Sequence, residues 1–349
     1  MRIVFDDIIY SLQRSGGGSV YWTEVIRPLL DSSIHYVFDN ASANIFYSSI
    51  TIPNKTVYSS RFLLIKRFIN PYLPEMKTKF IFHSSYFRFS RNNNAINITT
   101  VHDFTVERFG HGLHAFIHKM QQKRAVKKSK GIICVSENTK RDFKSFYPWY
   151  KGEICVIHNG YDHKSYYHEW KARTRNILFV GARTEYKRFD LAVKIASRIS
   201  DCRLVIVGGG ELSDKELELL NSLLGSRYEK KGFVNNDDLR FLYNTAFFLC
   251  YPSEYEGFGI PLLEAQACGC PVLCQKKSSI PEVVGDSALF FDASDIESAI
   301  EAVEQLSDPE VFKQYQKLGL ENCSRFSWEK SASSHIAFYN KMWSSLSIS

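Results

Sequence analysis

Two glutamates, Glu256 and Glu264, are separated by seven residues in a stretch rich in glycine and proline. Pro261 lies between them, and proline is favoured at the first position of a helix because its missing N–H costs nothing there. The loop that carries Glu256 is therefore predicted to enter a helix near Ile260 or Pro261, with Glu264 in the first turns. Such a loop directs free backbone N–H groups and the positive end of a helix dipole at one point, which suits a phosphate.

The spacing alone fits a second interpretation equally well, in which Glu264 only stabilises the start of a helix and binds no ligand, since acidic residues are common near helix N-termini. The preceding run, residues 246–251 (AFFLCY), is short and apolar and predicts a buried strand. The unit is thus a strand, a glycine-bearing loop and a helix.

Two cations, Arg183 and Lys187, follow a second predicted strand at residues 176–181, and residues 190–200 have helical spacing. Cations just beyond a strand suit a diphosphate, because arginine offers a fork of donors and lysine a point charge. Ordinary exposed charge is the alternative interpretation.

The first half of the chain holds two weaker signals. Residues 2–9 predict a first strand, three glycines follow at 16–18, and helical spacing runs from Val20 to Leu30. A flexible turn would give the same glycine pattern. His102 ends a β-branched run, at the position where ligands bind in parallel sheets, although a lone histidine is more often structural.

These motifs resemble those of retaining glycosyltransferases of the GT-B fold, in particular glycosyltransferase family 4 (group 1). The sequence EGFGIPLLE at 256–264 is similar to the paired-glutamate motif, and TVHD at 100–103 resembles the His-Asp step. GARTEYKRFD at 181–190 resembles the Gly-x-Arg…Lys-Gly-x-Asp loop, but Arg188 replaces a usual glycine and the Arg-to-Lys spacing is often one residue longer. The resemblance is strong over residues 150–330 and loose before them.

The resemblance implies an α/β protein of the GT-B class, with two Rossmann-like, doubly wound parallel-sheet domains facing a cleft. Alternation of strands and helices in the first half predicts such a sheet independently. The expected domains are an acceptor domain at 1–165 and a nucleotide-sugar domain at 166–328, and a C-terminal helix at 329–349 crosses back onto the first domain.

The activity implied is retaining, metal-independent transfer of a hexose-type sugar such as mannose from a UDP- or GDP-sugar, without a cofactor. The acceptor would be a glycan or a lipid-linked glycan in bacterial O-antigen or capsule biosynthesis. The implied catalytic residues are Glu256, His102, Arg183 and Lys187. The implied donor-binding residues are Gly17, Gly18, Phe233, Val234, Phe258, Gly259, Ile260 and Glu264.

The resemblance implies that each of these residues binds a particular part of the donor. Arg183 and Lys187 neutralise the diphosphate, and Glu256 binds sugar hydroxyls. Glu264 binds the ribose hydroxyls, and Phe233 and Val234 border the base, although Phe233 fits a core position equally. From the first domain, His102 reaches the sugar, and the glycines at 17 and 18 offer backbone groups to the phosphates.

Charge is distributed unevenly along the chain, whose net charge is +7. Residues 1–165 hold 23 Lys and Arg against 12 Asp and Glu, and the remainder holds 21 against 25. The basic half suits an anionic membrane surface. Residues 61–69 alternate cations and apolar groups, which predicts either a membrane-facing or a solvated helix face.

The cellular location is predicted from the lack of a signal-peptide pattern and of a membrane-spanning run in the sequence. Asp6 and Asp7 interrupt the apolar N-terminus, and no run approaches the roughly 20 apolar residues of a membrane span. Five of the eight cysteines lie in or beside strand-like runs, as reduced thiols do, and the cluster Cys268, Cys270, Cys274 lacks zinc-site spacing. These features favour a cytoplasmic protein, acting at the inner face of the plasma membrane.

Other classes of function remain open at this level. A nucleotide-sugar epimerase or a phosphorylase could share the fold, and a non-catalytic binding subunit could retain it. Glycines occupy positions 208–210, but no glycine follows at the third position of the G-x-G-x-x-G dinucleotide fingerprint, which disfavours a dehydrogenase. The basic half has no nucleic-acid-binding motif, so we expect no nucleic-acid partner.

Overall fold

The computed structural model describes residues 1–59, 67–71, 73 and 75–345, and the chain forms two compact units. The first unit contains Met1–Asn159 together with the chain from Trp328 onward. The second unit contains Gly160–Ser327.

The first unit is built on a seven-stranded sheet in which every pair of neighbouring strands is parallel. The strand order is β3-β2-β1-β4-β5-β6-β7. The strands are β1 (Ile3–Asp6), β2 (Ile34–Phe38), β3 (Lys55–Tyr58), β4 (Phe80–Ser84), β5 (Ala95–Val101), β6 (Gly131–Cys134) and β7 (Glu153–Val156). The strands β1, β4 and β6 are buried along their whole length and mostly apolar, as expected for a parallel sheet covered on both faces.

Helices connect these strands. Along the chain they are α1 (Ile9–Leu12), α2 (Gly17–Ile26), α3 (Ile45–Ser48), α4 (Thr105–Phe109), α5 (Gly112–Lys128), α6 (Glu137–Phe146) and, after the second unit, α14 (Trp328–Ser345). Short 3₁₀ turns lie at Arg27–Leu29 and Asp39–Ala43.

The second unit repeats the arrangement with a six-stranded parallel sheet in the order β10-β9-β8-β11-β12-β13. Its strands are β8 (Asn176–Val180), β9 (Arg203–Val207), β10 (Tyr228–Gly232), β11 (Phe248–Tyr251), β12 (Val272–Gln275) and β13 (Leu289–Phe291). Its helices are α7 (Phe189–Arg198), α8 (Asp214–Leu224), α9 (Asn236–Thr245), α10 (Ile260–Ala267), α11 (Ile280–Val284), α12 (Ile296–Leu306) and α13 (Pro309–Cys323), with a 3₁₀ turn at Glu185–Lys187.

Both sheets reverse their strand order next to their first strand, β1 in one and β8 in the other. This is the doubly wound order of Rossmann-like domains, in which ligands bind beyond the carboxyl ends of the strands at the point of reversal. The predicted fold class is therefore confirmed in its two parallel-sheet domains. The expected return of the C-terminal helix is also confirmed, because α14 contacts α2 and β4 of the first unit.

Two local predictions in the first unit were wrong. The first strand ends at Asp6 rather than continuing to Ile9, because the backbone then forms local helical bonds, from the Tyr10 N–H to the Asp7 carbonyl and from the Leu12 N–H to the Ile8 carbonyl, each at 3.2 Å. The glycines at 17 and 18 begin α2 rather than forming a loop before Val20. Gly16 precedes them with φ at 154°, a conformation that side chains disfavour.

Two further observations complete the fold. Most of the predicted amphipathic stretch at 61–69 lies outside the described residues, which resume at Arg67. Among the helices described, none has both the length and the apolar content needed to cross a membrane.

Candidate functional site

The reversal point of the second sheet lies between β8 and β11, and the loops that follow these two strands carry Lys187 and Glu256. The two loops are tied together by a backbone hydrogen bond of 2.8 Å from the Glu254 N–H to the Tyr186 carbonyl. Arg188 adds a 2.6 Å ion pair to Glu254. The topology thus brings residues 69 apart in sequence to the place where such sheets bind ligands.

Lys187 and Glu256 form an ion pair, with Nζ 2.5 Å from Oε1. The side chains are 17% and 10% exposed, so the pair is largely removed from water. The Tyr251 hydroxyl also hydrogen-bonds Glu256, and burial together with this carboxylate raises the pKa of Tyr251 well above its usual value. Tyr251 therefore remains a neutral donor, and its ring lies 5.5 Å from the lysine ammonium.

Two serines of the β12–α11 connection hold the Glu256 backbone. Ser278 Oγ accepts from the Glu256 N–H at 2.7 Å and lies 2.8 Å from the Glu256 carbonyl, to which it can donate. Ser279 Oγ lies 3.0 Å from the carbonyls of both Glu256 and Phe258. Ser278 has φ at 50°, a left-handed conformation uncommon for a residue with a side chain. These serines escaped sequence analysis, since the contact spans 22 residues and left no local signal.

Helix α10 starts at Ile260, as the proline predicted, and Gly259 precedes it with φ at 102°. Phe258 is 4% exposed, and its ring packs edge-on against Phe326 at 5.6 Å. Burial therefore removes the Phe258 side chain from contact with a ligand, whereas Ile260 is partly exposed. At the start of α10 Pro261 has no N–H and the Leu262 N–H donates to the Gly259 carbonyl at 3.1 Å, so the Ile260 N–H is the one that helix geometry leaves for a ligand.

Glu264 lies one turn further along α10 and is partly buried. Burial raises its pKa from 4.5 to about 7, and the charge of Asp162 raises it further, while a 3.5 Å hydrogen bond from the Tyr243 hydroxyl lowers it. Near neutral pH this carboxyl is therefore close to half ionised, and its ionised form would gain from a ligand that donates hydrogen bonds.

Arg183 takes no part in the ion pair of Lys187 and Glu256 and is paired with Glu216 instead. Its side chain is 3% exposed, and Nε donates to Glu216 at 2.7 Å. The remaining nitrogens donate to carbonyls of the glycine turn after β9, at Gly208, Gly210 and Glu211. It lines a separate cavity of about 560 Å³ with Arg188 and Lys215. Its role at a diphosphate stays a prediction, and phosphate would have to replace Glu216 as its partner.

The residues implied for the base lie on the short connection between β10 and α9. Phe233 is 79% exposed and Val234 is partly buried. An aromatic ring exposed to this extent offers a face to a planar ligand. The helix behind it is capped by Asn235, whose side chain accepts from the Asp238 N–H at 2.8 Å.

The other predicted residues lie in the first unit. The glycines at 17 and 18 occupy the first turn of α2, where backbone N–H groups have no partner within the helix. His102 directly follows β5, and its ring contacts Tyr21 edge-on at 4.6 Å. Burial lowers the pKa of His102, although Asp103 opposes the shift, so the ring is neutral at pH 7. Tyr21 is fixed by hydrogen bonds to Thr100 at 2.8 Å and His335 at 2.7 Å.

No group of three or more His, Cys, Asp or Glu side chains in the described part of the chain could hold a metal ion. All eight cysteines are free thiols. Burial raises the pKa of Cys250 and of Cys270 to about 12, so these thiols are inert at neutral pH.

Two family profiles match the chain. Residues 166–341 match that of glycosyl transferases group 1, and residues 76–165 match that of glycosyltransferase family 4. The first match contains every candidate residue of the second unit, and the second contains His102.

Curated relatives match over part of their length. O-antigen chain mannosyltransferase B of Escherichia coli is 40% identical over 109 residues, which are 31% of this chain and 29% of the relative. O-antigen chain mannosyltransferase RfbU of Salmonella typhimurium is 31% identical over 193 residues, 53% of this chain and 54% of the relative. Alpha-maltose-1-phosphate synthase of Mycobacterium tuberculosis is 30% identical over 253 residues, with coverages of 63% and 65%. The chain thus spans less than two thirds of each of these relatives.

Solved structures share the fold over nearly the whole chain. Sucrose-phosphate synthase from Thermosynechococcus elongatus has a TM-score of 0.74 at 18% identity and covers 99% of this chain and 100% of its own. HepE of Anabaena, in complex with UDP and glucose, has a TM-score of 0.73 at 14% identity, with coverages of 98% and 100%. At these identities the similarity shows the fold alone.

Proposed function

The chain belongs to the group 1 glycosyl transferases, and from this premise we propose that it transfers a hexose from a nucleotide-diphosphate sugar to a glycan or lipid-linked acceptor. We propose mannose or a similar hexose as the sugar, retention of its anomeric configuration, and a role in bacterial surface polysaccharide biosynthesis. The O-antigen mannosyltransferases among the relatives support the sugar and the process.

The observation that carries the proposal is the ion pair of Lys187 and Glu256 beside the start of α10. A cation and a helix N-terminus at one place suit a diphosphate, and a carboxylate beside them suits sugar hydroxyls. Glu264, one helical turn away, suits the ribose. In this proposal Glu256 would meet the sugar, Lys187 and the start of α10 would meet the diphosphate, and Glu264 would meet the ribose.

The chemistry required of the site is stabilisation of charge. The bond between the anomeric carbon and the diphosphate breaks, the acceptor oxygen bonds to that carbon, and the acceptor proton passes to the departing phosphate oxygen. Negative charge grows on the diphosphate while the anomeric carbon becomes more positive. Lys187 and the Ile260 N–H at the positive end of α10 stabilise the first charge, and the carboxylate of Glu256 stabilises the second, as electrostatic catalysis requires.

The lysine exchanges partners in this scheme. Without donor, its ammonium neutralises Glu256 across 2.5 Å. When a diphosphate arrives, the lysine shifts toward the phosphates and leaves the carboxylate to the sugar hydroxyls, held in place by Tyr251 and the two serines. Arg183, which donates to the glycine turn after β9, would join Lys187 at the diphosphate by leaving Glu216, and His102 is assigned to the sugar as a neutral hydrogen-bonding ring.

A thermal-shift panel tests the proposal, using UDP, GDP, their hexose derivatives and, as the control, UMP and GMP. A donor at 100 times its dissociation constant should raise the free energy of unfolding by about 2.7 kcal/mol. Product analysis with the best ligand then distinguishes transfer from epimerisation or phosphorolysis, since only transfer requires an acceptor. Failure of every nucleotide sugar to bind would contradict the proposal.

A further inference from the structure

The outer face of helix α5 in the first unit is unusual for a surface helix. The inner face buries Ala115, Ala125 and Val126, each at most 4% exposed. Surface helices usually carry polar residues on the opposite face. Here that face carries Leu113, Phe116 and Met120, which lie three and four residues apart and are 73%, 59% and 46% exposed.

The same face becomes basic toward the end of the helix. Arg124 and Lys127 continue the row of apolar side chains at helical spacing, and Lys128 lies beside them. With Arg91 and Lys130, these cations line a cleft of about 900 Å³ whose wall also includes Phe68 and Ile69. Phe68 and Ile69 are 37% and 57% exposed, so apolar groups are exposed here as well.

The apolar and basic parts form one continuous surface. Phe68 and Arg124 line the basic cleft and also a smaller cavity that includes Met120 and Ile117. The Gln121 amide of α5 donates to the Arg67 carbonyl at 3.2 Å, which fixes the segment of Phe68 against the helix. We call this surface the α5 face, formed by Leu113, Phe116, Met120, Arg124, Lys127, Lys128, Phe68 and Ile69.

The charge of the α5 face is not neutralised. Within the described ranges, none of Arg91, Arg124, Lys127, Lys128 and Lys130 forms an ion pair with a carboxylate. An occupant must therefore supply negative charge to the basic part and an apolar medium to the other part. Exposed apolar patches with a polar rim commonly mark such interaction sites.

From the juxtaposition of exposed Leu113, Phe116 and Met120 with the unpaired cations of the same helix, we propose that the α5 face docks on an anionic lipid bilayer. The apolar side chains enter the region between headgroups and acyl chains, as in interfacial helices. The cations meet the lipid phosphates, whose surface potential attracts basic segments.

Other occupants match only part of this surface. A second copy of the chain would bring two unpaired basic clusters together, which like charges disfavour. A nucleic acid would satisfy the cations but would leave the row of Leu113, Phe116 and Met120 in water. The proposal concerns one face of the first unit and does not depend on sugar transfer, so the two can fail separately.

Cosedimentation of the whole protein with vesicles tests the proposal. The vesicles contain phosphatidylglycerol mixed with phosphatidylcholine, or phosphatidylcholine alone. We expect binding to the anionic vesicles only, weakening as salt screens the charges. The combined variant Leu113→Ser/Phe116→Ser/Met120→Ser should lose more than about tenfold in affinity, because three side chains no longer leave water.

Charge is tested separately with Arg124→Gln/Lys127→Gln, which should weaken binding by about fivefold for each cation removed and flatten the salt dependence. The matched controls lie in the second unit. Phe241→Ser removes a phenylalanine that is 53% exposed on α9, and Lys313→Gln/Lys317→Gln removes two exposed lysines of α13. Both controls should bind as the wild type does.

Three outcomes would overturn the proposal: no binding of the wild type to anionic vesicles, equal binding to both vesicle types, or unchanged binding by both α5 variants. A dimer that is lost in the serine variant, without vesicle binding by the wild type, would assign the face to a second copy instead. All substituted positions are exposed, and thermal unfolding checks that each variant folds; Leu113→Ser alone replaces the combined variant if the latter does not.

Discussion

At the scale of single residues, the site depends on a carboxylate whose neutralising partner can be exchanged. Glu256 as a whole residue is 9% exposed. Burying its charged carboxylate would therefore cost free energy without Lys187, Tyr251 or a sugar to pair with it. The same low exposure strengthens its interaction with a developing positive charge, because little water screens it.

Glu256→Gln should therefore reduce the transfer rate by about 100-fold or more, since it removes charge but preserves shape. The rate is measured as nucleoside diphosphate released in the presence of acceptor. Glu297→Gln is the control in the same unit, on α12, where the carboxylate is 54% exposed and pairs with Arg198. A Glu256→Gln enzyme as active as this control would refute the catalytic role of Glu256.

Glu264 makes donor binding depend on pH. Its pKa of about 7 means that roughly a tenth of the molecules are ionised at pH 6 and roughly nine tenths at pH 8. If the ionised form accepts the ribose hydroxyls, donor affinity should rise about tenfold between these pH values and level off above. Calorimetry checks this, and the affinity of Glu264→Gln should be weaker and less dependent on pH. A falling wild-type affinity would contradict the assignment.

At the scale of elements, the β12–α11 connection determines where the Glu256 loop lies. Ser278 makes two hydrogen bonds to the backbone of one residue, and the left-handed φ of Ser278 is retained by those bonds. The connection and the loop thus form one rigid support for the carboxylate.

Ser278→Ala should lower the transfer rate at saturating donor more than it weakens donor binding, because it releases the loop without removing a ligand contact. Loss of these bonds should cost about 1–3 kcal/mol of stability. Steady-state kinetics and denaturant unfolding measure both effects, with Ser222→Ala on exposed α8 as the control. Unchanged kinetics in a destabilised variant would reduce Ser278 to a purely structural residue.

Helix α14 is held against α2 and β4 of the first unit by buried histidines and tyrosines. His335 hydrogen-bonds Tyr21 at 2.7 Å, and His83 hydrogen-bonds Tyr339 at 2.7 Å and Thr100 at 3.0 Å. Burial lowers the pKa of His335 to about 4 and that of His83 well below 6.5. Both rings are therefore neutral when folded but become protonated below about pH 6.5 when unfolded.

The unfolded chain thus binds more protons between pH 4 and 6.5, so the stability of the first unit should rise with pH across that window and level off above it. Urea unfolding at several pH values measures the slope. His335→Gln should be less stable at pH 7 and less sensitive to acid, while His114→Gln, at an exposed position of α5, should follow the wild type. An equal slope in His335→Gln would exclude this histidine as its source.

Sequence patterns predicted helices and strands well where the residues that begin or end an element are close to it in the sequence. Pro261 and the apolar run before it located α10 and β11, and alternation of strands and helices indicated the doubly wound sheets. The first strand was predicted too long, because the apolar run through Ile9 fits a strand or a helix equally. The pairing of Arg183 with Glu216, 33 residues away, and the exposure of Leu113 both depend on tertiary structure, which no local pattern encodes.

At the scale of the whole molecule, the two units differ in their chemical character. The basic excess lies in residues 1–165, and the candidate donor groups Lys187, Glu256 and Glu264 lie in the second unit. Each sheet has its own buried strands, so effects on the two units can be observed separately.

A bound nucleoside diphosphate should slow amide exchange in the second unit, most strongly at residues 185–188 and 256–264. Binding stabilises the folded state that holds the ligand, so protection from exchange should be strongest at the residues that contact the ligand. Hydrogen-exchange mass spectrometry with and without UDP or GDP measures this, and the nucleoside alone is the control for the diphosphate contribution. Protection confined to the first unit would contradict a donor site beside β8 and β11.

The most direct measurement is a crystal structure with an intact nucleotide sugar bound. The expected result is a diphosphate within hydrogen-bond distance of Lys187 Nζ and the backbone at the start of α10, with ribose hydroxyls on Glu264 and sugar hydroxyls on Glu256. A diphosphate in the cavity of Arg183, Arg188 and Lys215 instead, with the pair of Lys187 and Glu256 undisturbed, would contradict it.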